Sequence, residues 1–258
     1  SCGVRHGPGN SRPYFLTLGP CSVGNIEHDR VVRKALSATA GPTFCSGSRA
    51  MAYDGTGGRR RPYSSKMESR HDLRNRLRAE RRSLAAGKRR RAESAIVARI
   101  RRLSQYLRAS TVAAYLPFDG EPDLSALFDT DPDKRFFLPV TGRGPDNSMH
   151  FAAFRSGDLL QRNRFGIRQP VVGPTTFINP KNIDVVLAPL VGFDDAGGRL
   201  GMGGGYYDRC FEFMLNSTRV RPNLVGVAFE CQRVADIGTA EWDVPMSVVI
   251  TEKSNHLP

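Results

Sequence analysis

The stretch Val185–Arg209, VVLAPLVGFDDAGGRLGMGGGYYDR, runs from an unbroken apolar segment through a glycine-rich turn into sequence of helical character. The apolar segment, Val185–Val191, has no polar alternation, which is the habit of a strand buried on both faces of a parallel sheet. Gly201, Gly203, Gly204 and Gly205 strip side chains from the turn, so its backbone can approach a ligand closely and adopt positive φ. A strand, a glycine loop and a helix in that order gather backbone N–H groups around an anion, phosphate above all. Arg199 adds a forked cation suited to phosphate. The loop lacks the GK[ST] ending of the common phosphate loop and the later acid of the dinucleotide fingerprint. Asp208 falls in the first turn of the predicted helix Tyr206–Leu215. A carboxylate there either caps the helix or holds a hard cation such as Mg²⁺, and the residues alone leave both open.

Outward from this stretch, short apolar runs at Thr111–Leu116, Phe136–Val140, His150–Phe154, Leu224–Phe229 and Val248–Thr251 read as further strands, with a brief helix at Leu124–Phe128. Strands separated by helical segments predict an α/β fold: a single domain with a mostly parallel sheet flanked by helices. Upstream, Leu73, Leu77 and Leu84 lie near helical spacing, and so do Ile96, Ile100, Leu103 and Leu107, with Ala86-Gly87 as the expected turn between the two helices. Their polar faces are crowded with arginine, including Arg89–Arg91 and Arg101–Arg102. Such a face is either solvated or turned towards phosphate or RNA. Aromatics are not interleaved there, as base stacking requires, so nucleic acid is the weaker reading.

The chain has 258 residues, 40% of them apolar, and a formal charge of +13. That balance favours an anionic partner without choosing among nucleotides, nucleic acid and small acids. No apolar run approaches the roughly 20 residues of a membrane helix, and the first residues contain no secretory apolar core. Five cysteines without paired spacing fit a reducing cytoplasm better than a disulfide or zinc framework. The histidines make no metal set, and no Ser–His or Cys–His arrangement suggests a nucleophile. Residues 1–66, rich in Gly, Pro and Ser, are expected to be a disordered or non-native extension, with a short helix at Val31–Ala38, ahead of the domain 67–258. Met67, where the patterning begins, reads as a natural start.

At RLGMGGGYYDR (Arg199–Arg209) the sequence resembles the 5-formyltetrahydrofolate cyclo-ligase family, also called methenyltetrahydrofolate synthetase. The likeness extends to LRNRLRAERRSL (Leu73–Leu84), AAYLPFDGEPD (Ala113–Asp123), FGIRQP (Phe165–Pro170), APLVGFDDAG (Ala188–Gly197) and EWDVPMSVVITEK (Glu241–Lys253), and so to essentially all of 67–253. The resemblance implies an enzyme that uses ATP and Mg²⁺ to close 5-formyltetrahydrofolate to 5,10-methenyltetrahydrofolate, releasing ADP and phosphate through a phosphorylated formyl intermediate. It implies that Arg199, Leu200, Gly201, Met202, Gly203, Gly204, Gly205, Tyr206 and Tyr207 bind ATP with Arg70 and Arg74, and that Asp208 and Asp243 hold the metal. Arg70 stands where the family carries Lys. Arg199, Tyr206 and Asp208 are the implied catalytic residues. Leu116, Glu121 and Phe165, with Tyr206 and Tyr207, would line the folate side. Polyglutamylated folate is a further expectation, with Arg89–Arg91 as candidate contacts for the tail, and a monomer is expected. Two other classes stay in view: an RNA-binding protein, and a sugar-phosphate isomerase or CoA-transferase sharing the sheet.

Overall fold

The computed structural model describes residues 68–142, 148–171, 173, 176–215 and 222–258. The expectations for 1–66, including the helix at Val31–Ala38, lie outside the described residues.

Helix α1 spans Arg70–Arg82. The Ser69 hydroxyl accepts from the Asp72 amide at its start, and Arg81 and Arg82 close its last turn, both favourable to the helix dipole. Its inward stripe is Leu73, Leu77 and Arg81. Helix α2 is Ala86–Arg102, so Ala86-Gly87 opens this helix and the turn lies at 83–85. The apolar period of α2 does not run on to Leu107 as expected. Leu103 takes an extended conformation (φ −68°, ψ 127°), and a separate short helix α3, Ser104–Arg108, buries Tyr106 and leaves Leu107 63% exposed.

The remaining elements are β1 (Thr111–Ala113), α4 (Ala126–Thr130), β2 (Arg135–Thr141), β3 (Met149–Phe154), β4 (Leu160–Arg162), β5 (Arg168–Pro170), β6 (Phe177–Ile178), β7 (Val185–Pro189), β8 (Gly192–Phe193), β9 (Arg199–Leu200), α5 (Tyr206–Phe211), β10 (Asn223–Val227), β11 (Val248–Ile250) and β12 (Asn255–His256). Eight strands form one sheet in the order β12-β11-β10-β7-β1-β2-β3-β6. The run β11-β10-β7-β1-β2 is parallel, as expected, while β12 and β3 pair antiparallel at its two sides. Alternate residues serve opposite faces. Val185 and Leu187 join Ile96, Ile100 and Leu127 in one core, and Val186 and Ala188 join Phe151 and Phe211 in the other. The continuous apolar reading of Val185–Val191 is therefore that of a strand covered on both sides.

This strand order fixes where a ligand can sit. From β1 the chain moves to β2 on one side. From β7, paired to the other edge of β1 (Val112 opposite Val185), it moves on to β10 and β11 in the opposite direction. The two neighbours are thus a topological switch point, and in open α/β sheets the loops diverging from such carboxyl ends are where a ligand-binding crevice is expected. The first loop begins at Ala114, two residues before the expected strand end at Leu116, with the Ala114 amide still donating to the Phe137 carbonyl at 2.9 Å. The second contains the glycine loop.

Candidate active site

The β7 side is built first. Leu190 and Val191 leave the sheet and enter the hairpin β8–β9, an element between strand and glycine loop that the sequence reading did not contain. Asp194, 4% exposed, holds its turn: the carboxylate accepts from the Gly198 amide at 2.8 Å, Ala196 at 3.1 Å and Ile237 at 3.0 Å. Beyond β9, Gly201–Gly204 lie exposed. Gly203 (φ +96°) and Gly205 (φ +62°) are left-handed, and a Cβ on Gly205 would meet the Arg209 guanidinium at 2.7 Å, so both positions favour glycine. The turn stands open, with its backbone presented outward.

Three arginines stand on or near this loop. Arg74 Nε donates to the Gly201 carbonyl at 2.9 Å. Arg70, one turn earlier on α1, donates to the Gly238 carbonyl at 3.1 Å and to Asp243 at 3.4 Å. Arg199 is buried in β9 and pairs with Asp208, while its Nη1 is buried with no hydrogen-bond partner. A buried, unpaired guanidinium N–H is costly unless something satisfies it, and an oxyanion would. Asp208 does not cap α5: Gly205 holds the cap position without a side-chain bond, and the acid turns to Arg199 instead. The helix expected over Tyr206–Leu215 is shorter: α5 ends at Phe211, and Glu212–Met214 tighten into a 3₁₀ turn.

Asp208 Oδ1 accepts from the amide of Val244, next in sequence to Asp243, at 3.4 Å, and Asp243 bounds a cavity of about 170 Å³ with Arg199, Ala240 and Val244. Asp243 Oδ2 also accepts from the Ala240 amide at 2.9 Å. Among the described residues no group of three or more His, Cys, Asp and Glu side chains could hold a metal. Two carboxylates are the donor type a hard cation such as Mg²⁺ takes when phosphate and water supply its remaining oxygens, so Asp208 and Asp243 are the residues that could hold it here. Each acid is balanced by one arginine.

On the β1 side, the chain turns at Asp119, a non-glycine residue with φ +52°. Arg78 (2.7 Å), Arg81 (3.1 Å) and Arg82 (3.0 Å) all donate to its carboxylate. Arg89 donates to the Gly120 carbonyl at 2.7 Å. Arg89 is therefore tied to a turn and not free to face a polyanion, which corrects its grouping with Arg90 and Arg91 as a tail contact. The clamp delivers Glu121, 8% exposed, into the crevice wall, where it accepts from the Phe118 amide at 3.1 Å. Burial pushes its carboxyl up from 4.5 to about 7, against the pull of Arg81. Its charge in turn raises the phenols of Tyr115 and Tyr207, which burial already pushes well up.

Phe165, at the tip of the hairpin β4–β5, lies edge-on to Tyr206 with centroids 6.1 Å apart, and Arg164 donates to the Tyr206 hydroxyl at 3.1 Å. Phe165 is 46% exposed, with the Arg164 guanidinium over its ring 4.7 Å from the centroid. Leu116 and Leu200 differ from these: Leu116 packs in the core on one face of the sheet, and Leu200 is fully buried with Leu73 and Leu77. Their side chains belong to packing. The sequence reading missed Asp119 and underrated Arg81. A signal for Arg81 existed, since it continues the apolar stripe Leu73–Leu77 at spacing four, and a charge in such a stripe implies a buried partner.

The fold is that of an α/β protein with a glycine loop beside the point where two parallel strands diverge. A model of the 5-formyltetrahydrofolate cyclo-ligase family matches residues 66–252, and the chain belongs to that family. A 5-formyltetrahydrofolate cyclo-ligase of Haemophilus influenzae is 32% identical over 181 residues, which cover 69% of this chain and 95% of that protein. The Escherichia coli K12 protein of the same name is 37% identical over 145 residues, 55% of this chain and 78% of its own. The solved 5,10-methenyltetrahydrofolate synthetase of Aquifex aeolicus superposes with a TM-score of 0.62 at 33% identity, covering 73% of this chain and 92% of that one.

Proposed function

We propose that this chain uses Mg-ATP to cyclise 5-formyltetrahydrofolate to 5,10-methenyltetrahydrofolate, releasing ADP and phosphate. The observation that carries the reading is the buried, unpartnered Nη1 of Arg199 beside an open glycine turn, with Asp208 and Asp243 adjoining. A formamide is a poor electrophile because its nitrogen lone pair is delocalised. Moving the γ-phosphoryl group of ATP to the formyl oxygen breaks the bond to ADP and leaves an activated iminium phosphate. Attack by the second folate nitrogen on the formyl carbon then closes the ring, and the phosphate departs with the former formyl oxygen.

Such a transfer depends on positioning and charge neutralisation more than on a protein nucleophile. The glycine amides, Arg74 and Arg199 orient the phosphates, and Tyr206 and Tyr207 stand between nucleotide and folate. Phe165 offers a face to the pterin, and Glu121 accepts its N–H groups. Held by Asp208, Asp243 and phosphate oxygens, Mg²⁺ would offset the charge of the β- and γ-phosphates. Polyglutamylated folate is included, with the exposed Arg90 and Arg91 as the remaining candidates for its tail. The inward turn of Arg78, Arg81 and Arg89 argues against an RNA-facing patch on these helices. The test follows methenyltetrahydrofolate absorbance with 5-formyltetrahydrofolate, with and without Mg-ATP. Growth of the signal only with both is expected, and a flat trace from folded protein would remove the reading.

A further inference from the structure

Arg81 is the most deeply buried charge of α1, fully shielded from solvent, yet neither the phosphate nor the folate reading uses it. Its Nε donates to the Asp119 carbonyl at 3.0 Å, its Nη2 to the Asp119 carboxylate at 3.1 Å, and its Nη1 to the Leu190 carbonyl at 3.0 Å. Glu121 Oε1 lies 3.7 Å from the same Nη2. Leu190 directly follows β7, just before the hairpin that leads to the glycine loop, and its carbonyl also accepts from the buried Gln232 amide at 2.6 Å. One guanidinium therefore spans the crevice at its base, from the loop after β1 to the end of β7. We propose that Arg81 is a positioning residue: with Asp119 it fixes Glu121 beside Tyr115 and Tyr207 and locks that wall to the strand feeding the glycine loop. The proposal rests on Glu121 being a folate contact for its catalytic meaning, but not for its geometry.

The charged and titratable groups facing Glu121 are Arg78 and Arg81 from α1, Asp119 in its own loop, Tyr115 after β1 and Tyr207 from α5. Arg78 and Asp119 form an ion pair at 2.7 Å, yet they act on Glu121 with opposite sign: the arginine favours its charged form, the aspartate opposes it. Removing either partner of a merely structural pair would loosen the same turn in the same way. Removing them from an electrostatic frame around Glu121 would not.

The experiment labels glutamate carboxyl carbons with ¹³C and follows Glu121 by NMR, its resonance assigned by its loss in Glu121→Gln. Asp119→Asn, which tolerates the left-handed backbone, is expected to lower the titration midpoint, and Arg78→Met to raise it, each by about half a pH unit or more. In turnover assays at pH 7, Arg78→Met is expected to raise the KM for folate while leaving that for ATP unchanged. Arg81→Met should raise the midpoint further. Because that variant uncovers a buried carbonyl and can fail to fold, the other two decide. Midpoints that move the same way in both variants, or stay within 0.2 of wild type (roughly the resolution of such a titration), would overturn the proposal. Absence of turnover in wild-type protein would sink the folate reading, while the labelled carboxyl would still report on the frame.

Discussion

Replacing Glu121 by Gln should make the protein more stable at alkaline pH while impairing it as an enzyme. In the folded chain the Glu121 carboxyl is pushed from 4.5 to about 7 by burial, the attraction of Arg81 already included. Between those two values the folded state holds a proton that the unfolded state has released. Stability therefore falls as pH rises through this window, and the full penalty is present above about 7. At about 1.4 kcal/mol per unit, the difference between about 7 and 4.5 corresponds to roughly 3 kcal/mol. Gln has the same shape, can still accept from the Phe118 amide, and carries no such penalty. The melting temperature of Glu121→Gln should match wild type at about pH 4 and below and exceed it by roughly 6 to 12 °C at pH 8, at the 2–4 °C per kcal/mol typical of a domain this size. The assay is a pair of thermal melts at each pH. Groups that titrate alike in both proteins cancel in the comparison. A difference that is independent of pH, or a variant less stable than wild type at pH 8, would show that Glu121 is not ionised inside the wall. A carboxylate kept at such a cost fits a residue retained for binding.

Asp208→Ala leaves Arg199 buried with neither its ion-pair partner nor a partner for Nη1, so a loss of about 1–3 kcal/mol is expected, discounted because Asp208 is partly exposed. Turnover should fall by roughly two orders of magnitude or more, and full activity in the assay above would show that neither the metal nor the Arg199 assignment holds. Phe165→Ala should change stability by less than about 0.5 kcal/mol, since the ring is 46% exposed. Its KM for folate should rise roughly tenfold, the weight of one stacked aromatic face, with the KM for ATP unchanged; equal changes in both would place Phe165 outside the folate wall.

The parallel core was legible because burial on both faces leaves unbroken apolar runs, and Val185–Pro189 with its neighbours follows that rule. The glycine loop was legible for a different reason: four glycines within five positions mark a turn whose backbone is left bare, whatever each glycine's local reason. The hairpin β8–β9 was hidden, since two-residue strands carry no period and their pairing depends on Asp194 gathering three amides. The break at Leu103 was hidden too, with no Pro or Gly to mark it, and extending the period past it put Leu107 in a core it does not enter. Asp119 lies 38 to 41 residues from Arg81 and Arg78, and no local pattern announces a contact of that span. The resemblance supplied the site residues, but it could not say that Leu116 and Leu200 contribute packing and Arg81 the frame.

Arginines that look interchangeable along α1 divide by turn. Arg70 and Arg74, four residues apart, share a stripe that meets Asp243 and the glycine loop. Arg78, Arg81 and Arg82, one to three turns later, meet Asp119 and hold the wall that carries Glu121. Eleven residues of helix separate Arg70 from Arg81, about 16 Å of rigid rod. A reaction that joins a phosphoryl donor to a formyl oxygen depends on the separation and angle of two bound molecules. A helix that grips both walls through its own side chains makes that separation a property of the fold. This is why so much of the positive charge in this region is spent on backbone carbonyls and aspartates and not on solvent.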